Sequence, residues 1–553
     1  MTPTAAEDHP ALVERTYPAD PVLVPALSPR WALTKWHVAL TATLALLFLV
    51  VNHLPLRGTD LWCHVVYGQW ILEHGALPTA DPVMPLAAGM RVVDSAWLSQ
   101  TLLALVRPWG DVWLANLFAL VTLATYALLA GALYRRCGRL DLALVGLVTT
   151  LAIGWSRLTT IRPEIFAGLL FAALLGVVTR IEAGRYRWFD WLAVPAVLAV
   201  WANAHGSFPV GLLLLSALAV GQALDVAWRA RSPWAALADR STQRWFWLAE
   251  LGAVATLVNP YGADLWLEVA RFANNSNLGD LVEWFPMTFW GVGGLEFSLA
   301  WLALTLVLRH GRRPMPVAHV LLLISFGLAA AARVRMMTWF APVYAWVVLP
   351  HLAELTDRFA ARRGGRARCA GVPSSAPYAE DEPGEAWPLG ATLPPGHRWS
   401  YTLVCGVICW MAFSLSDLCR PLMQSPPRSP SRLYGAQTPL ATTAFLESQP
   451  PRGLVLAPQP WADWFVTHGP SGFQPMVTSN VHLVPRKVWQ DYQHIALAQP
   501  GWQAVADRYL IGTIIVDKAQ QPILTPVLRR STEWRVAHED ETGIVFQRVA
   551  KAG

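Results

Sequence analysis

Charge is what this chain has least of. Asp, Glu, Lys and Arg make up only 14% of its 553 residues, whereas soluble domains carry about 25%. An ordinary water-soluble globule is thereby excluded. Cysteine is also sparse: six residues, no CxxC pair, and Cys405 and Cys409 within an apolar run. That leaves no basis for a disulfide framework or a zinc cluster. Neither GxGxxG nor a phosphate-loop signature occurs, so no nucleotide is assigned. Residues 1–30 lack the basic, apolar, small-residue order of a cleaved signal, and the first apolar span is expected to be retained.

Apolar residues fill the gap. They form 54% of the chain and fall in blocks such as "VALTATLALLFLVVNHL" (38–54), "LANLFALVTLATYALLAGALY" (114–134) and "FAGLLFAALLGVVT" (166–179). About 20 apolar helical residues cross ~30 Å of hydrocarbon. The expectation is a mainly α, polytopic helical membrane protein of about eleven spans. They fall near 33–54, 112–134, 140–157, 163–180, 189–204, 209–228, 246–258, 293–308, 316–332, 337–354 and 400–418.

The net charge of +6 is explained by where the arginines sit. "YRRCGR" (134–139), "RIEAGRYR" (180–187), "WRARS" (228–232) with Arg240 and Arg244, "RHGRRP" (309–314) and "DRFAARRGGRAR" (357–368) occupy alternate connections. Basic residues are retained on the cytoplasmic side. All five connections agree with an N-terminus inside, near Arg15, Arg30 and Lys35. The basic excess is thus a topology signal, and no nucleic-acid partner is expected.

The expected organisation is a cytoplasmic tail (1–32), a membrane domain (33–356), a basic then acidic and Pro-rich cytoplasmic linker (357–398), a last membrane helix (399–420), a connection (421–452) and a small extracytoplasmic α/β domain (453–553). In the last, "GLVLAP" and "IGTIIVD" read as buried strands, "KVWQDYQHIALAQPGWQAVADRYL" as helices and "WRVAHEDETGIVFQRV" as a hairpin.

The other connections then face outside, and they hold the residues that are costly near a membrane. Arg157 and Arg162 share a short connection with Glu164; they either snorkel to lipid phosphates or build a site. Arg333 and Arg335 lie on the side the charge rule disfavours, and a phosphate matches the planar fork of guanidinium. His205 in "NAHGSF" caps or packs a span end, or joins a site. Glu283 in "VEWFP" is a further binding candidate. "NPYG" (259–262) reads as a turn. Trp62, Trp97 and Trp284 read as interfacial belt residues, with stacking on sugars as the alternative. Asp60 precedes the stretch from Leu61, where it caps a helix or does chemistry; Thr59 could cap instead. In a helix, Asp60 and His64 share one face. No third ligand completes a metal set there.

Taken together, "DLWCHVVYGQWILEHGALPTADP", "VVDSAWLSQ", "IRPEIFAGLLFA", "WANAHGSFPVGLLLL", "LVNPYG", "VEWFP" and "RMMTWFAPVYAW" resemble a widespread bacterial family of polytopic proteins described as GT-C-type glycosyltransferases. The resemblance runs over about residues 33–355 and touches the tail at "WQDYQHIALAQPGWQAVADRYLIGTIIVD". It implies a GT-C-like fold in the bacterial cytoplasmic membrane, a polyprenyl-phosphate-linked sugar donor and a glycan, lipid or protein acceptor outside. It also implies inversion at the anomeric carbon without a covalent intermediate. Asp60 matches the family's key first-loop carboxylate and would be the catalytic base, with His64 orienting it or the acceptor. Arg157, Arg162, Glu164, His205, Glu283, Arg333 and Arg335 are the substrate-binding candidates. Cys63 stands where relatives usually have tryptophan. A second acid, often paired with the first, has two candidates in Asp81 and Asp94, which leaves a divalent metal as an option and no other cofactor. Two alternatives remain: a transporter or flippase of lipid-linked intermediates, which would bury charge mid-span in two repeated halves, and a non-enzymatic membrane scaffold.

Reporters fused after residues 134, 180, 228, 309 and 358 should all be cytoplasmic, and one fused at the C-terminus should be outside. An inward C-terminus would overturn the side assigned to every candidate residue.

Overall fold

A computed structural model of the chain describes residues 31–57, 60–158, 161–362, 393 and 395–549. The expected tail up to Arg30, nearly all of the Pro- and acid-rich linker, and Thr59 as an alternative cap lie outside the described residues.

The first apolar run forms α1 (Lys35–His53). The long connection after it folds into α2 (Leu61–His74) and α3 (Trp97–Val106). Next come α4 (Val112–Cys137), α5 (Leu140–Leu158), α6 (Glu164–Glu182), α7 (Asp190–Ala204), α8 (Pro209–Ala230), the short α9 (Pro233–Ala238), α10 (Arg240–Ala255) and α11 (Asp264–Ala273). The membrane part closes with α12 (Gly294–His310), α13 (Val317–Ala332), α14 (Met337–Arg362) and α15 (Trp399–Leu415). Every expected span position carries helix. Among the described residues, six segments are long and apolar enough to cross a membrane by themselves: α1, α4, α5, α6, α8 and Val334–Arg362; α7, α13 and α15 are shorter apolar helices. α10 starts six residues before the expected span because Asp239 caps it, its carboxylate accepting the Thr242 N–H at 2.7 Å.

α14 is the axis of the membrane part. Residues 339–350 are buried without a break, so the carbonyls freed by Pro342 and Pro350 face protein and not lipid. Close approach elsewhere depends on missing side chains. A Cβ at Gly221 of α8 would lie 2.1 Å from the Ala318 Cα of α13, and one at Gly68 of α2 would lie 2.0 Å from the Gln100 carbonyl oxygen of α3. Polar contacts between helices add direction: Asn52 donates to Asn116 at 2.8 Å, joining α1 to α4, and accepts the Asp417 N–H at 2.9 Å.

The C-terminal part is a small α/β unit. Its elements are α16 (Pro430–Tyr434), α17 (Leu440–Ser448), β1 (Leu454–Leu456), α18 (Gln459–His468), α19 (Arg486–Ala496), α20 (Trp502–Arg508), β2 (Ile511–Asp517), α21 (Leu524–Arg530), β3 (Trp534–Glu539) and β4 (Gly543–Arg548). The sheet order is β1-β2-β4-β3, with β1 parallel to β2 and the other pairs antiparallel. The strand and helix readings of the tail match these elements. The stretch 421–452 is not the simple connection expected. It carries α16 and α17, buries Leu446 completely, and Thr443 accepts the Trp464 indole N–H at 2.8 Å. Its few apolar residues were diluted among prolines and serines, so the sequence showed no period.

This unit sits on α2 and the α3–α4 corner. Thr467 donates to the Trp62 carbonyl at 3.0 Å, and Trp62 meets Trp464 and His468 edge-on at 5.3 and 4.5 Å between ring centres. Asp111 receives both His468 Nε2 and the Tyr434 hydroxyl at 2.8 Å. Farther along, Asn277 donates to the Val481 and Val484 carbonyls, and Arg486 pairs with Asp280 at 2.6 Å.

Gly68→Ala should force α2 from α3. Overpacking of this kind costs about 1–3 kcal/mol. The expected outcome is a lower temperature for loss of monodisperse protein in detergent, while Gly176→Ala, with open space around it, should leave that temperature unchanged.

Candidate active site

Three connections on one face of the membrane part bring opposite charges together. Arg157 closes α5, Arg162 lies in the connection to α6, and Glu164 opens α6. Glu283 lies in a 3-10 turn, Val282–Trp284, and Arg335 in another, Val334–Met336, that leads into α14. The last two turns are tied by backbone: Val334 N–H donates to the Phe285 carbonyl at 3.1 Å, and Met287 N–H to Ala331 at 2.8 Å.

Glu283 is the hub. Its Oε2 lies 2.6 Å from Arg162 Nη1 and 3.1 Å from Arg157 Nη1, and its Oε1 lies 3.6 Å from Arg335 Nη1. Arg157 also reaches Glu164 at 3.4 Å, and Arg162 Nε lies 3.0 Å from Asp60 Oδ1. That last pair is close yet not aligned as a hydrogen bond, since neither atom has a hydrogen-bond partner. The Arg335 guanidinium rests 4.6 Å from the centre of the Trp284 ring, a cation–π contact. Burial pushes the Glu283 carboxyl up, but Arg162, Arg335 and Arg157 outweigh it and hold it at about 2. Burial likewise opposes the charge on Arg162, and Asp60 and Glu283 outweigh it and raise its pKa.

Asp60 stands at the N-cap position of α2, but its side chain makes no cap hydrogen bond. It turns to Arg162 instead. The expected partnership with His64 takes another form: the His64 ring nitrogen Nδ1 lies 3.1 Å from the Gln100 amide nitrogen of α3. Burial lowers the His64 pKa, against the pull of Asp60. His205 serves two purposes. Its Nδ1 accepts the Ser207 N–H at 3.1 Å, which closes a turn after α7 and places the neutral ring's proton on Nε2. Burial takes its pKa to about 4, against the opposing charge of Glu164. Arg333 stands apart: it is exposed, and its side chain donates to the carbonyl of Ala332 at 3.3 Å. Arg333 precedes the 3-10 turn in extended backbone, whereas Arg335 lies inside the turn and reaches the cluster.

The two further acids divide. Asp81 is committed to its own loop, accepting the Val83 and Met84 N–H groups at 2.7 Å and the Tyr67 hydroxyl. Asp94 is buried; Oδ1 accepts the Ala96 N–H at 3.0 Å while Oδ2 has no partner, and burial lifts its pKa to about 7. "NPYG" is the expected turn, with Asn259 accepting the Tyr261 N–H at 2.8 Å and Gly262 at a φ of +56°. Among the described residues no three His, Cys, Asp or Glu side chains converge as a metal set.

One acid escaped the sequence reading. Asp463 of α18 is fully buried; Oδ1 accepts the Ser479 N–H at 3.0 Å and Oδ2 has no partner. Burial lifts its pKa to about 8; the charge of Asp60 adds to the rise and Arg162 opposes it. The C-terminal unit therefore brings a carboxyl within electrostatic reach of Asp60. The available signal was an acid between two tryptophans in "WADWF".

An apolar groove leads away from the cluster. Arg157 and Glu164 stand at its mouth, and Phe118, Tyr126, Ile165 and Phe171 line its walls around a cavity of about 100 Å³. It runs between α4, α5, α6 and α14 down to Leu129 and Thr150, on the order of 10 Å along the helix axes. Thr338 Oγ1, at the same mouth, is a buried group without a partner, as are Arg157 Nε and Trp284 Nε1. Buried polar atoms are nearly always satisfied in a filled protein, and these three are all able to donate.

The depressed Glu283 carboxyl links the cluster to acid stability. A carboxyl held at about 2 rather than its ordinary 4.5 stabilises the fold above pH 4.5, and that contribution is lost as the pH falls toward 2. Glu283→Gln should remove this acid-dependent part. Between pH 5 and 2.5, the parent should lose more thermal stability than the variant. Equal slopes would mean that the three arginines do not act on Glu283.

No family model matches the chain, and no curated protein matches it by sequence. Solved structures do match by shape. The oligosaccharyltransferase of Archaeoglobus fulgidus tethered to an acceptor peptide aligns with a TM-score of 0.51 at 11% identity, covering 93% of this chain and 74% of that one. The same organism's oligosaccharyltransferase AglB, solved with an inhibitory peptide and a dolichol-phosphate, aligns at 0.50 and 11% identity over 87% and 69%. The arabinofuranosyltransferase AftD from Mycobacteria aligns at 0.50 and 14% identity over 94% of this chain, which spans 40% of AftD. By this architecture of apolar helices followed by a small sheet, the chain has the fold of GT-C membrane glycosyltransferases.

Proposed function

We propose that the protein transfers a sugar from a polyprenyl-phosphate carrier to a hydroxyl-bearing acceptor at the extracytoplasmic face of the bacterial cytoplasmic membrane. The observation that carries this reading is the groove: an apolar slot inside the membrane part, ending at Arg157 of the ion cluster, where the buried donors Arg157 Nε and Thr338 Oγ1 have no acceptor. An apolar tail with a phosphate head satisfies both ends. The dolichol-phosphate in the AglB structure is a lipid of this class.

In the proposed reaction the phosphate seats at Arg157 and Arg162, with Arg335 behind Glu283. Arg162 then exchanges Asp60 for phosphate, which frees the Asp60 carboxylate. Asp60 takes the proton of the acceptor hydroxyl as that oxygen attacks the anomeric carbon. The bond from that carbon to the phosphate oxygen breaks, inversion follows, and polyprenyl phosphate leaves with the electron pair. Arginines already in place stabilise its growing charge, commonly the largest catalytic contribution. His64 and His205 keep the site's polar wall neutral, since burial disfavours their charged forms. A transporter would call for ionisable residues in mid-span; here Arg157, Arg162, Glu164, Glu283 and Arg335 lie at helix ends and in the connections between them.

Three variants test this in the full chain. Gly154→Leu should fill the groove, where a Cβ meets nothing nearer than Ala341 at 3.9 Å, and should abolish binding of a polyprenyl phosphate. Arg157→Gln should weaken that binding by roughly tenfold or more, as expected for loss of a charge-assisted bond. Asp60→Asn should bind the lipid normally and lose about 10²–10⁴-fold in sugar transfer, the usual weight of general base catalysis. Lipid binding unaffected by the first two variants overturns the donor site; full transfer by Asp60→Asn overturns the base.

A further inference from the structure

A second charged cavity lies at the far end of α14. Arg309 at the end of α12, Arg312 in the following connection, and Arg358 and Arg362 in the last turns of α14 line a space of about 250 Å³, with Leu355 and Phe359 beside them. Retention of basic residues on the cytoplasmic side accounts for arginines in this connection. It does not account for four of them, from two helices and a loop, facing one concavity.

Counter-charge is short there. Glu354 is engaged twice, accepting the Arg312 backbone N–H at 3.1 Å and pairing with Arg358 Nε at 3.4 Å. Asp357 is taken by Arg139 at 2.7 Å. Arg358 is held in position by donating to the His310 carbonyl at 2.8 Å. Among the described residues the side chains of Arg309 and Arg312 make no ion pair. Guanidinium groups gathered around a space they do not fill suit a phosphate, which offers each a pair of oxygens.

Depth and surroundings point to the source of that phosphate. Arg335, in the outer cluster, and Arg358 are 23 residues apart along one nearly continuous helix, on the order of 35 Å. That is about one hydrocarbon thickness, so the cavity lies in the opposite headgroup layer. Leu295, Leu299, Leu302 and Leu306 form an exposed stripe along α12, each about half accessible, and the stripe runs down to Arg309. Phe359, also about half exposed, adds apolar surface at the cavity itself.

We propose that this cavity binds the phosphodiester headgroup of an anionic phospholipid, with the acyl chains lying along the leucine stripe of α12. Nothing in the sugar-transfer reading requires this site, and the two stand or fall separately.

The probe is phosphatidylglycerol, compared with phosphatidylcholine of the same chains, on the full chain in mixed-lipid nanodiscs, with co-purifying lipid counted by native mass spectrometry. The parent should retain phosphatidylglycerol selectively. Arg309→Gln with Arg312→Gln should lose selectivity by about thirtyfold, since each arginine near a membrane surface is worth roughly a factor of five. Arg229→Gln with Arg231→Gln, on another basic connection, should lose little. Equal retention of the two lipids by the parent, or unchanged selectivity in the first double variant, overturns the proposal. Displacement of phosphatidylglycerol by millimolar glycerol phosphate would show a site for free phosphate and overturn the lipid assignment.

Discussion

One carboxylate placed among three arginines organises one end of the membrane part. Glu283 lies within ion-pair distance of Arg157, Arg162 and Arg335. Those residues come from the end of α5, the α5–α6 connection and the turn before α14. Each charge is largely withdrawn from water, so replacing Glu283 would leave three arginines short of counter-charge at once. The connections are thereby locked together, and the helices they join are held in register at this end. Asp60 is the outermost member, attached through Arg162 alone.

The rest of the architecture surrounds that cluster. α14 is the buried axis, and the turn that leads into it carries Arg335, so this helix joins the ion network directly. The groove opens between α14 and its neighbours α4, α5 and α6 at the same level. Over it, α2 carries Asp60 and His64, and α18 of the C-terminal unit packs on α2 through Trp62, Trp464 and His468. Low local dielectric strengthens each ion pair and lifts the unpaired carboxyls of Asp94 and Asp463. A soluble-looking tail unit thus takes part in the electrostatics of a membrane-level site.

Much of the site was legible because membranes make polar residues expensive. Arg157, Arg162, Glu164 and Glu283 stood out as charges that are costly near a membrane, and Arg335 as an arginine on the side the topology rule disfavours. Arg333 stood out for the same reason and lies outside the cluster; a linear rule cannot tell which of two arginines two residues apart a turn will direct inward. The cap reading of Asp60 was equally sound locally. The side-chain direction was settled by Arg162, about a hundred positions away.

By itself, the sequence determined the class of the protein. Scarce charge, apolar runs of spanning length and alternating arginine-rich connections follow from the energetics of hydrocarbon and water, which act on each segment separately. Short apolar strands and helical stretches in the tail were readable on the same local grounds. Tertiary structure decided which acids meet which bases, that residues 421–452 fold, that Asp463 approaches Asp60, and that arginines of α12 and α14 share one cavity. Those outcomes depend on contacts between residues far apart in the chain. Hydrophobic patterning says which side of a helix is buried, and only packing says against what.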